Sequence, residues 1–184
     1  MKLNFQENDY WVTLTYKLEN RPQDMKEAAK DFERWRDKVR RQYRKRGAEL
    51  KWMLHTEIGS RGGVHHHLVI NRIQDADLIM RKAWEKGGVH IDLLYDEGGF
   101  RKLAEYLSKT PDEENKMKES RYSCSKNLKI PVAEEKVYKR KTWSDEPKPP
   151  KGYYLDKETY HEGINPVTGY KYRRYILIRL NRRI

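Results

Sequence analysis

Residues 51–70 read Lys51-Trp52-Met53-Leu54-His55-Thr56-Glu57-Ile58-Gly59-Ser60-Arg61-Gly62-Gly63-Val64-His65-His66-His67-Leu68-Val69-Ile70, and this stretch decides the fold. Trp52, Leu54, Thr56 and Ile58 share one parity, and Val64, His66, Leu68 and Ile70 repeat the pattern. Alternation of period two marks a strand with one face buried. The glycine-rich segment between the two runs predicts a turn, so the whole is a β-hairpin. A turn centred on Arg61 sets Glu57 across from His65 and His55 across from His67, with Cβ atoms about 5 Å apart. Leu68 and Ile70 commit their parity to the core, leaving His65, His67 and Val69 on the opposite face. His66 offers a second choice of histidine pair, but it shares the core parity. Two imidazoles and a carboxylate on an exposed face suit a divalent metal, with coordination positions open for substrate. The competing reading is three histidines decorating a solvated strand. The strand-like run, the carboxylate across the turn and the close approach that Gly62-Gly63 permits favour metal. His90 and Asp92 share the same face parity on the next strand and stand in reserve.

Outward from the hairpin, residues 10–17 are aromatic and β-branched, with Thr13 and Thr15 opposite Val12 and Leu14, which predicts a strand. From 22 to 46 the apolar residues Met25, Ala28, Ala29, Phe32, Trp35, Val39 and Tyr43 fall three or four apart, the spacing of an amphipathic helix. A second helix over 75–86 and a third alternation, Val89, Ile91, Leu93 and Tyr95, complete the order β-α-β-β-α-β. That order predicts an α+β, ferredoxin-like split sheet, antiparallel, with both helices on one face and the other face free for a ligand. A further helix is expected over 100–109, then a charged loop over 112–118. Residues 121–142 mix strand-like and charged stretches. Residues 170–180 read as a strand, either added to the sheet or in a neighbouring hairpin. The catalytic domain is expected over 1–128, and 129–184 form a basic extension packed on it.

The chain has 184 residues and a net charge of +12, which favours a polyanionic partner. No apolar run approaches the roughly 20 residues of a membrane span, and the N-terminus lacks a signal-peptide stretch. The single cysteine, Cys124, excludes an internal disulfide framework and a cysteine-built zinc site, and fits a reducing cytoplasm.

The helix over 100–109 carries Phe100, Leu103, Ala104 and Leu107 as an apolar stripe, with Lys102, Tyr106 and Lys109 beside it. Flanking ammonium groups would favour the Tyr106 phenolate, the attacking form of a nucleophile. The residues alone leave open whether Tyr106 attacks or merely caps the core with its hydroxyl in water. Lys102, Arg121 and Lys126, with Tyr122 as an aromatic platform, are candidate strand contacts by charge and stacking, against the reading of a solvated basic surface.

Taken together these residues resemble the HUH endonucleases, in particular the replication initiators, or Rep proteins, of rolling-circle plasmids and single-stranded DNA phages. Trp11-Val12-Thr13-Leu14-Thr15-Tyr16 is similar to the first-strand motif, Gly63-Val64-His65-His66-His67-Leu68-Val69-Ile70 to the His-hydrophobic-His strand, and Tyr106-Leu107-Ser108-Lys109 to the Tyr-x-x-Lys helix motif. The resemblance covers about residues 10–128, with 121–128 similar to the phage and plasmid initiators. It implies Glu57 as third ligand with His65 and His67, one Mn²⁺ or Mg²⁺ ion, Tyr106 as nucleophile and Lys109 as its stabilising cation. It further implies a single-stranded or extruded origin hairpin as substrate in the cytoplasm of a bacterial host. His66 stands where the family has a bulky apolar residue, and Lys102 where two-tyrosine initiators have their other tyrosine. No G-x-x-x-x-G-K-[ST] occurs, so a separate host helicase and polymerase are expected. A single-tyrosine transposase or a mobilisation relaxase would share this chemistry. A non-catalytic nucleic-acid-binding module would instead expect aromatics where Thr13, Glu57, His65 and His67 stand. A metal-independent RNA endonuclease with histidine acid–base groups would act in EDTA.

Overall fold

The computed structural model describes residues 1–59, 62–95, 100–107, 117–135 and 146–180. The chain divides into two compact units, Met1–Ala133 and Glu134–Ile184. In the first unit the strands are β1 (Tyr10–Thr15), β2 (Trp52–Gly59), β3 (Val64–Ile70), β4 (Val89–Leu93) and β5 (Met117–Cys124). They form one sheet in the order β4-β1-β3-β2-β5, and every pairing is antiparallel. The first four strands carry the split β-α-β-β-α-β topology expected from the sequence. β5 is an addition on the free edge of β2, where the sequence suggested a loop running into a mixed segment. Its composition, Met-Lys-Glu-Ser-Arg-Tyr-Ser-Cys, has no apolar alternation, because little is buried against it.

Helices α1 (Met25–Lys45) and α2 (Ala76–Ala83) cover one face. α1 starts where Asp24 caps it, its carboxylate accepting from the Glu27 N–H at 2.7 Å. Its buried stripe of Phe32, Trp35, Val39 and Tyr43 packs on Val12, Leu14, Leu54, Leu68 and Ile70. α2 ends at Ala83, sooner than its periodicity suggests, because Trp84 leaves the helix in an extended conformation and donates from Nε1 to the Thr15 carbonyl. The two glycines after it serve packing. A Cβ on Gly87 would land on the Thr15 carbonyl oxygen, so the entry to β4 can run flush against β1 only without a side chain there.

The opposite face is less open than the sequence suggested. α3 (Arg101–Leu107) lies over it, and Phe5, Val69, Leu94, Phe100 and Leu107 make a second, smaller core beneath. Val69 sits on the ligand-facing parity and yet is wholly buried. The free surface is therefore the part of that face beside α3. In the second unit, β6 (Tyr153–Ile164) and β7 (Lys171–Arg179) pair antiparallel as a two-stranded sheet of their own, a hairpin rather than an extension of the first sheet.

Candidate metal and nucleophile site

The β2–β3 register pairs Glu57 with His65 and His55 with His67, as a turn about Arg61 requires. The period of two then delivers Glu57, His65 and His67 to one face. Glu57 Oε1 lies 3.8 Å from His65 Nδ1 and 3.4 Å from His67 Nε2. One potential ligand atom from each residue falls within 4.8 Å of the others, and no further histidine, cysteine or acid joins such a group among the described residues. This donor set fits a small divalent cation: two neutral nitrogens and one carboxylate oxygen, gathered on one side. His90 and Asp92 pair across β1 with Thr13 and Trp11 and lie outside this group.

The electrostatics prepare the donors. Burial, helped by the neighbouring His67 charge, lowers the His65 pKa and favours its neutral, ligating form. The approach of His55 and then of His67 holds the Glu57 carboxyl well below the usual carboxylate range, so it stays ionised. Thr13 Oγ1 lies 3.2 Å from His67 Nδ1. A cation held through Nε2 would need that lone pair, and would favour the tautomer whose Nδ1–H donates to Thr13. Trp11 stacks on the His67 ring at 5.6 Å and 12° and meets Tyr106 edge-on at 5.8 Å.

α3 brings Tyr106 to this cluster: its hydroxyl is 3.1 Å from His67 Nε2, and the two rings meet edge to face. The expected phenolate is corrected by the structure. Burial first, and the Glu57 charge second, push the Tyr106 pKa up to about 12, so the resting group is a phenol. Counting lysines along the helix misses the carboxylate that the sheet places beneath it. Lys109 and the side chain of Lys102 lie outside the described residues.

His55 is a residue whose role the sequence did not reveal. It is 1% exposed, and its Nδ1–H donates to the Leu107 carbonyl at 3.0 Å, at the end of α3. Its Nε2 is buried without a hydrogen-bonding partner and stops 3.6 Å from Glu57 Oε2. His55 thus holds the end of the helix bearing Tyr106 and places its other ring nitrogen beside the carboxylate of the cluster. The position across from His67 was legible; the helix it reaches was not.

His66 belongs to the other face, as its parity requires. Fully buried, it bridges Thr56 Oγ1 at 2.8 Å and the Tyr16 hydroxyl at 2.9 Å, and burial drives its pKa down to about 3. Of the four expected strand contacts, the three with described side chains separate. Tyr122 pairs with His55 on the face of the Glu57, His65 and His67 cluster, whereas Arg121 pairs with Thr56 on the helix side. Lys126 follows β5 and lines a groove against α1.

The family model described as replication-associated protein ORF2/gene 2 protein matches residues 9–111, more than half of the chain. The chain belongs to that family. The matched segment runs from β1 to beyond α3, and so contains all three residues of the donor cluster and Tyr106. Membership in this replication-associated protein family accords with a rolling-circle replication initiator of the HUH type, and the antiparallel sheet with its α+β arrangement suits that fold. Replication initiation and DNA binding follow from the family at that level. No curated protein and no solved structure matches the chain. Among the described residues no helix is long and apolar enough to cross a membrane.

Proposed function

We propose that this replication-associated protein nicks and rejoins single-stranded DNA at a replication origin through a covalent bond to Tyr106. The observation that carries the reading is the Tyr106 hydroxyl at 3.1 Å from His67 Nε2, within a cluster whose other members are Glu57 and His65. Attack of the Tyr106 oxygen on the scissile phosphorus forms a 5′-phosphotyrosine and breaks the bond to the 3′-oxygen, which leaves as a free hydroxyl. The reverse attack by that hydroxyl restores the strand and the phenol, so joining needs no ATP. Glu57, His65 and His67 would hold a divalent cation such as Mn²⁺ or Mg²⁺, which would supply positive charge where negative charge builds on the phosphate.

The chain's own residues do the positioning. Trp11 packs both the His67 ring and the Tyr106 ring, which limits their freedom before substrate arrives. Thr13 orients His67, and His55 holds the end of α3. Tyr122, 47% exposed on the same face, offers a ring for a base to stack on. Lys109 is assigned to the phenolate or phosphate by motif resemblance alone. Unwinding and extension would fall to a separate helicase and polymerase.

The test is a denaturing gel after incubation of the protein and its Tyr106→Phe variant with origin-derived single-stranded oligonucleotides, in Mn²⁺ and in EDTA. The expected result is a denaturation-resistant adduct with wild type in Mn²⁺ and none in the other three lanes. An adduct persisting in Tyr106→Phe would assign the nucleophile elsewhere. Binding without any adduct would leave a non-catalytic nucleic-acid-binding module.

A further inference from the structure

The helix side of the sheet carries a charge pattern that nicking does not use. Residues 38–46 contain six cations, Lys38, Arg40, Arg41, Arg44, Lys45 and Arg46, and no acid. The helix macrodipole accounts for cations in the last turn only. Arg36 and Arg40 lie earlier, and with Arg44 they repeat every fourth residue, about 6 Å apart along the axis, so they form one row on one side of α1.

That row faces an open groove. β5 extends the sheet beyond the cover of α1, and the step between helix and strand encloses about 570 Å³, walled by Arg36, Arg40 and Arg44 on one side and by Lys126 on the other. Its floor is Leu50 and Trp52, 6% and 7% exposed. Farther along, a smaller recess shares Arg36 and Trp52 and is rimmed by Arg121. Asp37 takes two contacts from Arg36, at 3.2 and 3.1 Å, and one from Arg40 at 3.4 Å, and Glu49 is the acid in the lining. Each guanidinium has five donors, so most remain for a ligand. Among the described residues Arg44 and Lys126 make no ion pair with any acid.

We infer that this α1–β5 groove binds the sugar–phosphate backbone of duplex DNA, on the face opposite the metal cluster. The row's repeat suits successive phosphates, and guanidinium forks suit phosphate oxygens. A single-stranded ligand is disfavoured because the aromatic in the floor is buried, and an unpaired strand would find no exposed ring to stack on. The inference does not depend on the chemistry at Tyr106. A protein holding a duplex on one face and a single strand on the other would sit at the junction between them.

The test uses the full chain in EDTA, so cleavage plays no part. Fluorescence anisotropy would report binding of a short labelled duplex and of a hairpin-free single strand across a salt series. Arg40→Gln/Arg44→Gln keeps good helix formers in the helix, so the fold should be retained. Its duplex affinity should fall by about tenfold, and its log–log salt slope should shrink by roughly 1.8, the share of two phosphate contacts. Arg40→Lys/Arg44→Lys should retain the slope. Lys148→Gln/Lys151→Gln, which removes the same charge from the second unit, should leave the slope nearly unchanged. An unaltered slope in Arg40→Gln/Arg44→Gln, or a slope loss matched by the Lys148/Lys151 control, would overturn the inference. So would a single-strand loss as large as the duplex loss, because the groove would then be a strand track.

Discussion

Nε2 of His67 faces two claimants, the Tyr106 hydroxyl at 3.1 Å and Glu57 Oε1 at 3.4 Å. It cannot accept from the phenol and donate its lone pair to a cation at once. A cation held at Nε2 would take the lone pair that the Tyr106 hydroxyl now meets, and that hydroxyl would then turn toward a phosphate. Tyr106→Phe should accordingly bind Mn²⁺ no more weakly than wild type, and up to about fivefold more tightly, since one hydrogen bond contributes near 1 kcal/mol. Calorimetric titration of both proteins with Mn²⁺ checks this, and a clear loss of affinity in the variant would place the hydroxyl among the ligands.

Thr13 reaches the cluster through His67. Thr13→Val preserves shape and removes the oxygen that lies 3.2 Å from His67 Nδ1. The ring then loses the partner that fixes its tautomer and tilt, and Mn²⁺ affinity should drop on the order of 10- to 100-fold. Electron paramagnetic resonance of free Mn²⁺ during titration reads the change. Equal affinity for the two proteins would remove Thr13 from the positioning scheme.

His55 predicts a different signature. It holds the carbonyl of Leu107, so its loss lets the end of α3 shift relative to Glu57. His55→Gln should slow adduct formation at saturating Mn²⁺ and DNA, on the order of 10²-fold for a displacement near 1 Å. The dissociation constant for the single strand should barely move. If both quantities change in proportion, the residue supports folding of the site rather than the placement of Tyr106.

The gathering of Glu57, His65 and His67 was legible because it is local. A two-residue period, one turn and the apolar commitment of Leu68 and Ile70 fix which atoms meet across the hairpin, and the pairing of Glu57 with His65 needs no distant contact. The four-strand topology was readable for the same reason, since each element carries its own period. What escaped depends on the packing of segments far apart. β5 has no alternation of its own and is a strand only because the edge of β2 offers hydrogen bonds. The raised pKa of Tyr106 comes first from burial against the sheet and then from Glu57, which approaches from the sheet rather than along the helix. Arg121 and Tyr122 are neighbours in sequence, and strand geometry alone sends them to opposite faces.

The last prediction concerns the histidine on the wrong face for metal. His66 is fully buried between Thr56 and Tyr16, and burial lowers its pKa to about 3 from an ordinary value near 6.5. Between those two values the unfolded chain binds a proton that the folded chain refuses. Stability is therefore fully present above about pH 6.5 and falls as the pH drops toward 3, by roughly 2–3 kcal/mol at pH 4.5 for this group alone. Depressed values at His65 and Glu57 act in the same direction in the metal-free protein, so the contribution has to be isolated by difference. His66→Gln keeps a donor and an acceptor between Thr56 and Tyr16 and cannot titrate. Urea unfolding in EDTA near neutral pH and near pH 4.5 should show a smaller acid loss in His66→Gln than in wild type, even if the variant is less stable at neutrality. Parallel losses in the two proteins would mean that His66 takes up its proton without unfolding the core around it.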